Sequence, residues 1–167
     1  MTDPRDGQTY RTRVVGQLEW MMENLRFAAD TSWCVPQDSA CAMGRLYPWS
    51  VAMKACPEGW RLPTIGELGD FVERFSPGWR TEANGPRQAF LDLEPLLQPV
   101  GFHQPWTGRF VDYGEAATLW TSDEFGLSAA MGLVWSRPHE TVEITPLSKD
   151  AGHACRCVRK APKDAGH

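Results

Sequence analysis

The stretch 55-ACPEGWRLPTIGEL-68 joins two helices through a short extended link. Upstream of it, Trp49 to Ala55 reads as a short helix that Pro57 and Gly59 stop. Thr64 then opens a second helix. With Glu67 it forms a capping box, in which hydroxyl and carboxylate satisfy free amides of the first turn. Ile65, Leu68, Phe71, Val72 and Phe75 follow at helical spacing. Between the helices, Trp60 and Leu62 alternate around the charged Arg61 and so can face one core.

Toward the N-terminus, Thr9 to Val14 is rich in β-formers, Gly16-Gln17 is a turn signal, and Leu18 to Met22 returns, which reads as a hairpin. Residues 28–45 are loop-like. Past the second helix, 76–86 is loop by its Pro, Gly and Asn content, and Gln88 to Leu97 is a third helical patch that Pro95 weakens. From Gly101 onward short β-like runs alternate with turns: Gly108–Tyr113, Thr118–Ser122, Gly132–Ser136, Thr141–Thr145 and His153–Val158. Helices first and clustered antiparallel strands afterwards give an α+β class. Residues 1–160 are expected to form one domain, and the polar tail 161–167 to be disordered. KDAGH occurs at 149–153 and again at 163–167; no physical account of this repeat follows from the sequence.

The chain has 167 residues, 42% of them hydrophobic and 23% charged, with eight tryptophans. That is enough for one core, and tryptophan serves cores and binding faces alike. The net charge of −4 gives no pointer to nucleic acid or an anionic membrane. No apolar run approaches the ~18 residues of a membrane span, so direct membrane insertion is not expected. The first residues show no signal peptide, so export would need a leader outside this sequence. Five cysteines leave at least one thiol unpaired. Two disulfides with a spare thiol, reduced buried cysteines, and metal binding are the three readings.

The chain resembles the Fibrobacter succinogenes major paralogous domain, one of the C-type-lectin-like folds. The resemblance rests on DGQTYRT at 6–12, W-x-x-E-N-L at 20–25, SWC…C at 32–41, GRLYPWSVAMKACPEGWRLP at 44–63, LWTS at 119–122 and G-x-x-x-R-C-V at 152–158. It implies first and last strands lying together, two to three helices flanking small antiparallel sheets, and long loops. It implies that Cys34 pairs with Cys41 and Cys56 with Cys157. Cys155, where the family has an apolar residue, becomes the spare thiol on the same strand face as Cys157. The chain is also similar in architecture to variable proteins diversified by retroelements, which implies a ligand-binding module displaying a variable surface near its C-terminus.

Candidate chemistry is sparse. His153, Cys155 and Cys157 alternate and could offer three zinc ligands, but the implied disulfide takes Cys157 and no fourth ligand is evident. Asp123-Glu124, with Glu115 and Asp112, could do acid–base work, although adjacent acids in a turn more often cap or face solvent. Calcium-dependent sugar binding would need oxygen ligands that Gln104-Pro105-Trp106 and Leu133-Val134-Trp135-Ser136 lack. No cofactor is therefore expected, and a non-enzymatic binding role is expected.

The richest region is 120–150, where apolar and aromatic residues mix with small polar ones, as on protein-binding surfaces, and within it 122–140 is expected to form the recognition surface. The candidate ligand-binding residues are Asp123, Glu124, Phe125, Leu127, Ser128, Met131, Leu133, Trp135, Arg137 and His139. Phe125, Leu127 and Met131 are expected in a loop, whereas Leu133 and Trp135 could instead be core. If this stretch is not the face, 102–118 is the next place to look. The expected partner is a protein or cell-surface ligand, at the cell surface or outside it. An enzyme on the formylglycine-generating-enzyme version of the fold, or a structural domain of a surface protein, are the alternatives.

Overall fold

The structure is a computed structural model that describes residues 1–81 and 85–163, with the side chain of Pro86 excluded. Residues 164–167 of the second KDAGH copy and of the tail expected to be disordered lie outside the described residues, while Ala161 at the start of that tail donates its backbone N–H to the Gln17 carbonyl at 2.9 Å. Among the described residues there are three α-helices and three small antiparallel sheets.

β1 (Thr12–Val15) and β2 (Leu18–Met21) form the N-terminal hairpin, in register Val15↔Leu18, with Gly16 in its turn at φ 62°. β2 pairs on its other side with β8 (Val158–Lys160), so both ends of the chain share one sheet. α1 (Trp49–Ala55) ends at Cys56, whose backbone is extended. Cys56 is bonded to Cys157, just before β8. Arg61 exchanges two backbone hydrogen bonds with Val158, of 2.9 and 2.8 Å, so the link between helices adds one rung to the sheet. That rung turns Trp60 and Leu62 inward, and both are buried. Arg61 turns outward to Glu67 at 2.7 Å.

α2 (Ile65–Phe75) carries both halves of the capping box at Thr64 and Glu67. Its apolar stripe of Leu68, Phe71 and Val72 meets Trp20, with the Trp20 and Phe71 rings 4.5 Å apart. α3 runs Gly85–Leu93, starting earlier than the apolar pattern indicates. It tightens into a single 3-10 turn at Glu94–Leu96 because Pro95 has no amide to continue the α-helical ladder.

β3 (Phe102–Gln104) and β4 (Arg109–Val111) form a short ribbon whose first strand the sequence reading lacked. β5 (Ala116–Phe125), β6 (Ala129–Ser136) and β7 (Thr141–Ser148) form the largest sheet. The segment after LWTS is thus hairpin and not loop: β5 continues to Phe125, through a register irregularity after Trp120, and turns back at once. The expected strand His153–Val158 is instead a series of isolated bridges at His153 and Ala154, followed by β8.

The sheet has two unlike faces, as period-2 alternation requires. Ala117, Leu119, Leu133, Trp135 and Val142 face the core shared with α2 and α3. There Trp135 stacks on Phe90 at 4.7 Å and donates its indole N–H to the Phe90 carbonyl at 2.9 Å. On the other face, Trp120, Ala130 and Leu147 belong to a second core with Tyr47, Leu62 and Cys155. Gly132 is demanded by this packing, since a Cβ there would lie 2.4 Å from Leu147 Cδ1 and 2.7 Å from the Leu119 carbonyl oxygen.

Candidate functional site

The part of that second face not covered by core is open. Thr118, Val134, Ser136, Thr141 and Glu143 stand on it in register and floor a groove of about 870 Å³. The β3–β4 ribbon supplies one wall through Phe102 and Trp106, and the β6–β7 turn supplies Pro138 and His139.

The ribbon is held in place by backbone. His103 and Gly152 exchange hydrogen bonds of 2.9 and 2.8 Å. Gly152 has to be glycine because a Cβ would come within 2.9 Å of the Trp33 ring. The turn between β3 and β4 closes on Gly108 and leaves Trp106 59% exposed. A tryptophan so exposed on a concave rim is unusual for a side chain that gains so much by burial.

At the base of the groove lies His153. It is buried, stacks on Phe102 at 5.4 Å and meets Trp120 edge-on at 4.7 Å. Its Nδ1 is 2.7 Å from Thr118 Oγ1. Burial lowers its pKa to about 3, so the imidazole is neutral at physiological pH.

The sequence-derived candidates separate into several places. His139 lines the groove. Leu133 and Trp135 do not join it, because alternation turns them to the inner core, where each is 1% exposed. Asp123 accepts the Ile65 amide at 2.6 Å and so serves as an added cap on α2. Arg137 pairs with Glu94 at 2.8 Å on the surface, and Met131 is half-buried. Glu124, Phe125, Leu127 and Ser128 form the exposed tip of the β5–β6 hairpin, with Leu127 98% exposed.

That tip is braced. Lys149 Nζ reaches Glu124 at 2.9 Å, and the Gly126 and Leu127 carbonyls at 3.1 and 3.2 Å. It sits at the far end of the sheet from the β6–β7 turn, so the tip and His139 are not one surface.

Thr118 and Glu143 were missed as site residues, and Trp106, Ser136 and His153 were weighed only for metal binding. Trp106 and Thr118 fall within the fallback stretch 102–118. The other signal was alternation: the residues between Leu133, Trp135 and Val142 must face the opposite way.

The cysteines are placed as the resemblance implied: Cys34–Cys41 and Cys56–Cys157 are bonded, and Cys155 is free and buried. Two disulfides fit an oxidising compartment. No helix among the described residues is long and apolar enough to cross a membrane. Compared with family models, curated proteins and solved structures, the chain gives no significant match.

Proposed function

We propose that this chain is a ligand-binding module on a C-type-lectin-like scaffold, and that it recognises a protein or cell-surface partner through the groove over β5–β6–β7. The scaffold reading is supported by the pairing of β2 with β8, by the disulfide from the end of α1 to the last strand, and by the β3–β4 ribbon standing over the long sheet. The groove reading is carried by one observation: an exposed Trp106 on the rim of a concavity whose walls come from separate segments, the ribbon braced by backbone hydrogen bonds to Gly152. Rigid elements presenting adaptable side chains are how binding sites avoid ordering costs. With two disulfides, a surface or secreted setting is the natural one.

An enzymatic role of the formylglycine-generating type would need a reactive thiol. Cys155 is the only unpaired cysteine, and burial pushes its thiol well above the usual range, which argues against reactivity. The exposed hairpin tip, with Phe125 and Leu127, is a segment a diversifying retroelement could vary without harming the core. A reverse-transcriptase gene nearby, beside a near-copy of the 3′ coding segment differing at adenines, would support that part of the proposal. Its absence would remove the retroelement while leaving binding in place.

The binding test is selection of a displayed random-peptide library on the immobilised domain, followed by counter-screening against Trp106→Ala and the groove-filling Ser136→Trp. Peptides that bind the parent and neither variant support the reading. Enriched peptides indifferent to both variants would place recognition elsewhere.

A further inference from the structure

Two carboxylates, Asp112 and Glu143, and the buried imidazole of His153 line the groove. Thr118 Oγ1 lies 3.3 Å from the Gly101 carbonyl, and a carbonyl can only accept. Satisfying both of its contacts with one hydroxyl proton places that proton on the Gly101 side. Nδ1 of His153 must then carry the proton in its 2.7 Å bond to the same hydroxyl oxygen. This fixes the tautomer: Nε2 bears a lone pair. Nε2 has no partner among the described residues, on a side chain only 3% exposed, and it is the ring nitrogen left for the groove that His153 floors. Nε2 is not fully enclosed, so a donor entering the groove can reach it.

The charges of the groove point the same way. Asp112 and Glu143 line it, and no lysine or arginine does. Arg137, next to the lining residues Ser136 and Pro138 in sequence, pairs with Glu94 at 2.8 Å, and Arg87 pairs with Glu140 at 3.4 Å. Trp106 adds an exposed aromatic face of the kind that attracts cations. A neutral imidazole and the Glu143 carboxylate on the floor, a second carboxylate at Asp112 and an indole on the rim together complement a donor-rich cation.

We propose, building on the binding role above, that the groove docks an arginine or lysine side chain of a partner protein, with the cationic head toward Glu143, Asp112 and His153 Nε2. Arginine suits the arrangement better, because its planar fork can donate in several directions and stack on Trp106 at once.

The test uses the intact domain and four acetylated, amidated pentapeptides, identical except for a central Arg, Lys, Gln or Glu. Binding is followed by NMR through the Trp106 indole N–H and the His153 ring nitrogens. The Arg and Lys peptides should shift both signals, moving Nε2 as it accepts a hydrogen bond, and raised salt should weaken them. Glu143→Gln should weaken the Arg peptide ~10-fold, as loss of a charge-assisted hydrogen bond would. Asp112→Asn, on a different element, gives an independent second reading.

If the Gln peptide binds the groove as well as the Arg peptide, and Glu143→Gln changes nothing, the cation proposal is overturned while the binding module stands. If no peptide moves any groove signal, while peptides selected from the library still bind at another surface, the groove itself is overturned as the site.

Discussion

Arg156 Nε donates to Asn24 Oδ1 at 3.1 Å, joining residues 132 apart in sequence inside the protein. Asn24 also donates from Nδ2 to the Met43 carbonyl at 3.1 Å, and its backbone N–H donates to Gln98 at 2.7 Å. Gly44 lies so close that a Cβ there would fall 2.4 Å from Asn24 Cβ. Three separated motifs, W-x-x-E-N-L, G-R-L-Y and R-C-V, thus meet around one asparagine. Arg156 also donates to the Leu96 carbonyl, while its Nη1 is buried without a partner.

Burial lowers the pKa of Arg156 to about 10, still charged at physiological pH. Breaking such a pair from one side should cost more than replacing the charge with apolar volume. Asn24→Ala, which leaves the guanidinium only its bond to the Leu96 carbonyl, is expected to lose about 3 kcal/mol. Arg156→Met, which also removes the orphaned Nη1, should lose clearly less. Urea titration of both variants checks the order.

The two disulfides should contribute unequally. In the chain-entropy model, the Cys56–Cys157 bridge, with a sequence separation of 101, is worth about 4.7 kcal/mol, and Cys34–Cys41, with a separation of 7, about 2.5. Replacing each pair with alanine and comparing denaturation midpoints tests the ranking. Native protein should offer no alkylatable thiol, and unfolded non-reduced protein should offer one, Cys155.

Truncation should separate the tip from the core. Phe125→Ala, Leu127→Ala and Arg137→Ala should each stay within about 0.5 kcal/mol of the parent. Asp123→Ala should lose about 1 kcal/mol of helix capping. Trp60→Ala, 8% exposed, should lose about 3–5 kcal/mol. Thermal melts of the five variants decide this.

Acid should destabilise the fold before carboxylates titrate. His153 takes a proton near pH 6.5 when unfolded and only near pH 3 when folded, because burial excludes the charge. Its contribution is full above about pH 6.5 and is lost as pH falls toward 3. Burial also lowers the pKa of His103, which acts in the same direction. Asp3 and Glu67, held low by Arg5 and Arg61, add their loss only below the usual carboxylate range. Melting temperature should therefore decline from pH 6.5 to 4.5, and His153→Gln should flatten that decline.

Much of the architecture was legible because local chemistry and packing agree. The capping box at Thr64, the stops at Pro57 and Gly59, and the Gly16 turn all act within a few residues. The site was less legible. Leu133 and Trp135 look like contact residues until register assigns them to the inner face, and register is set by pairing with β5 and β7. His153 sits in a segment read as a strand whose one face could offer zinc ligands. Its meeting with Thr118, 35 residues away, arises only from the bridge beside β5. Asp123 looked like a ligand acid because its partner, the Ile65 amide, is 58 residues distant.

Hydrogen–deuterium exchange of the domain, free and saturated with a library-selected ligand, tests the central claim most directly. The groove account predicts that ligand binding slows exchange in the β3–β4 ribbon around Trp106 and from Ser136 to Glu143, and leaves Glu124 to Ser128 unchanged. Protection confined to the hairpin tip at Phe125 and Leu127, with the ribbon and the β6–β7 turn unaffected, would contradict it.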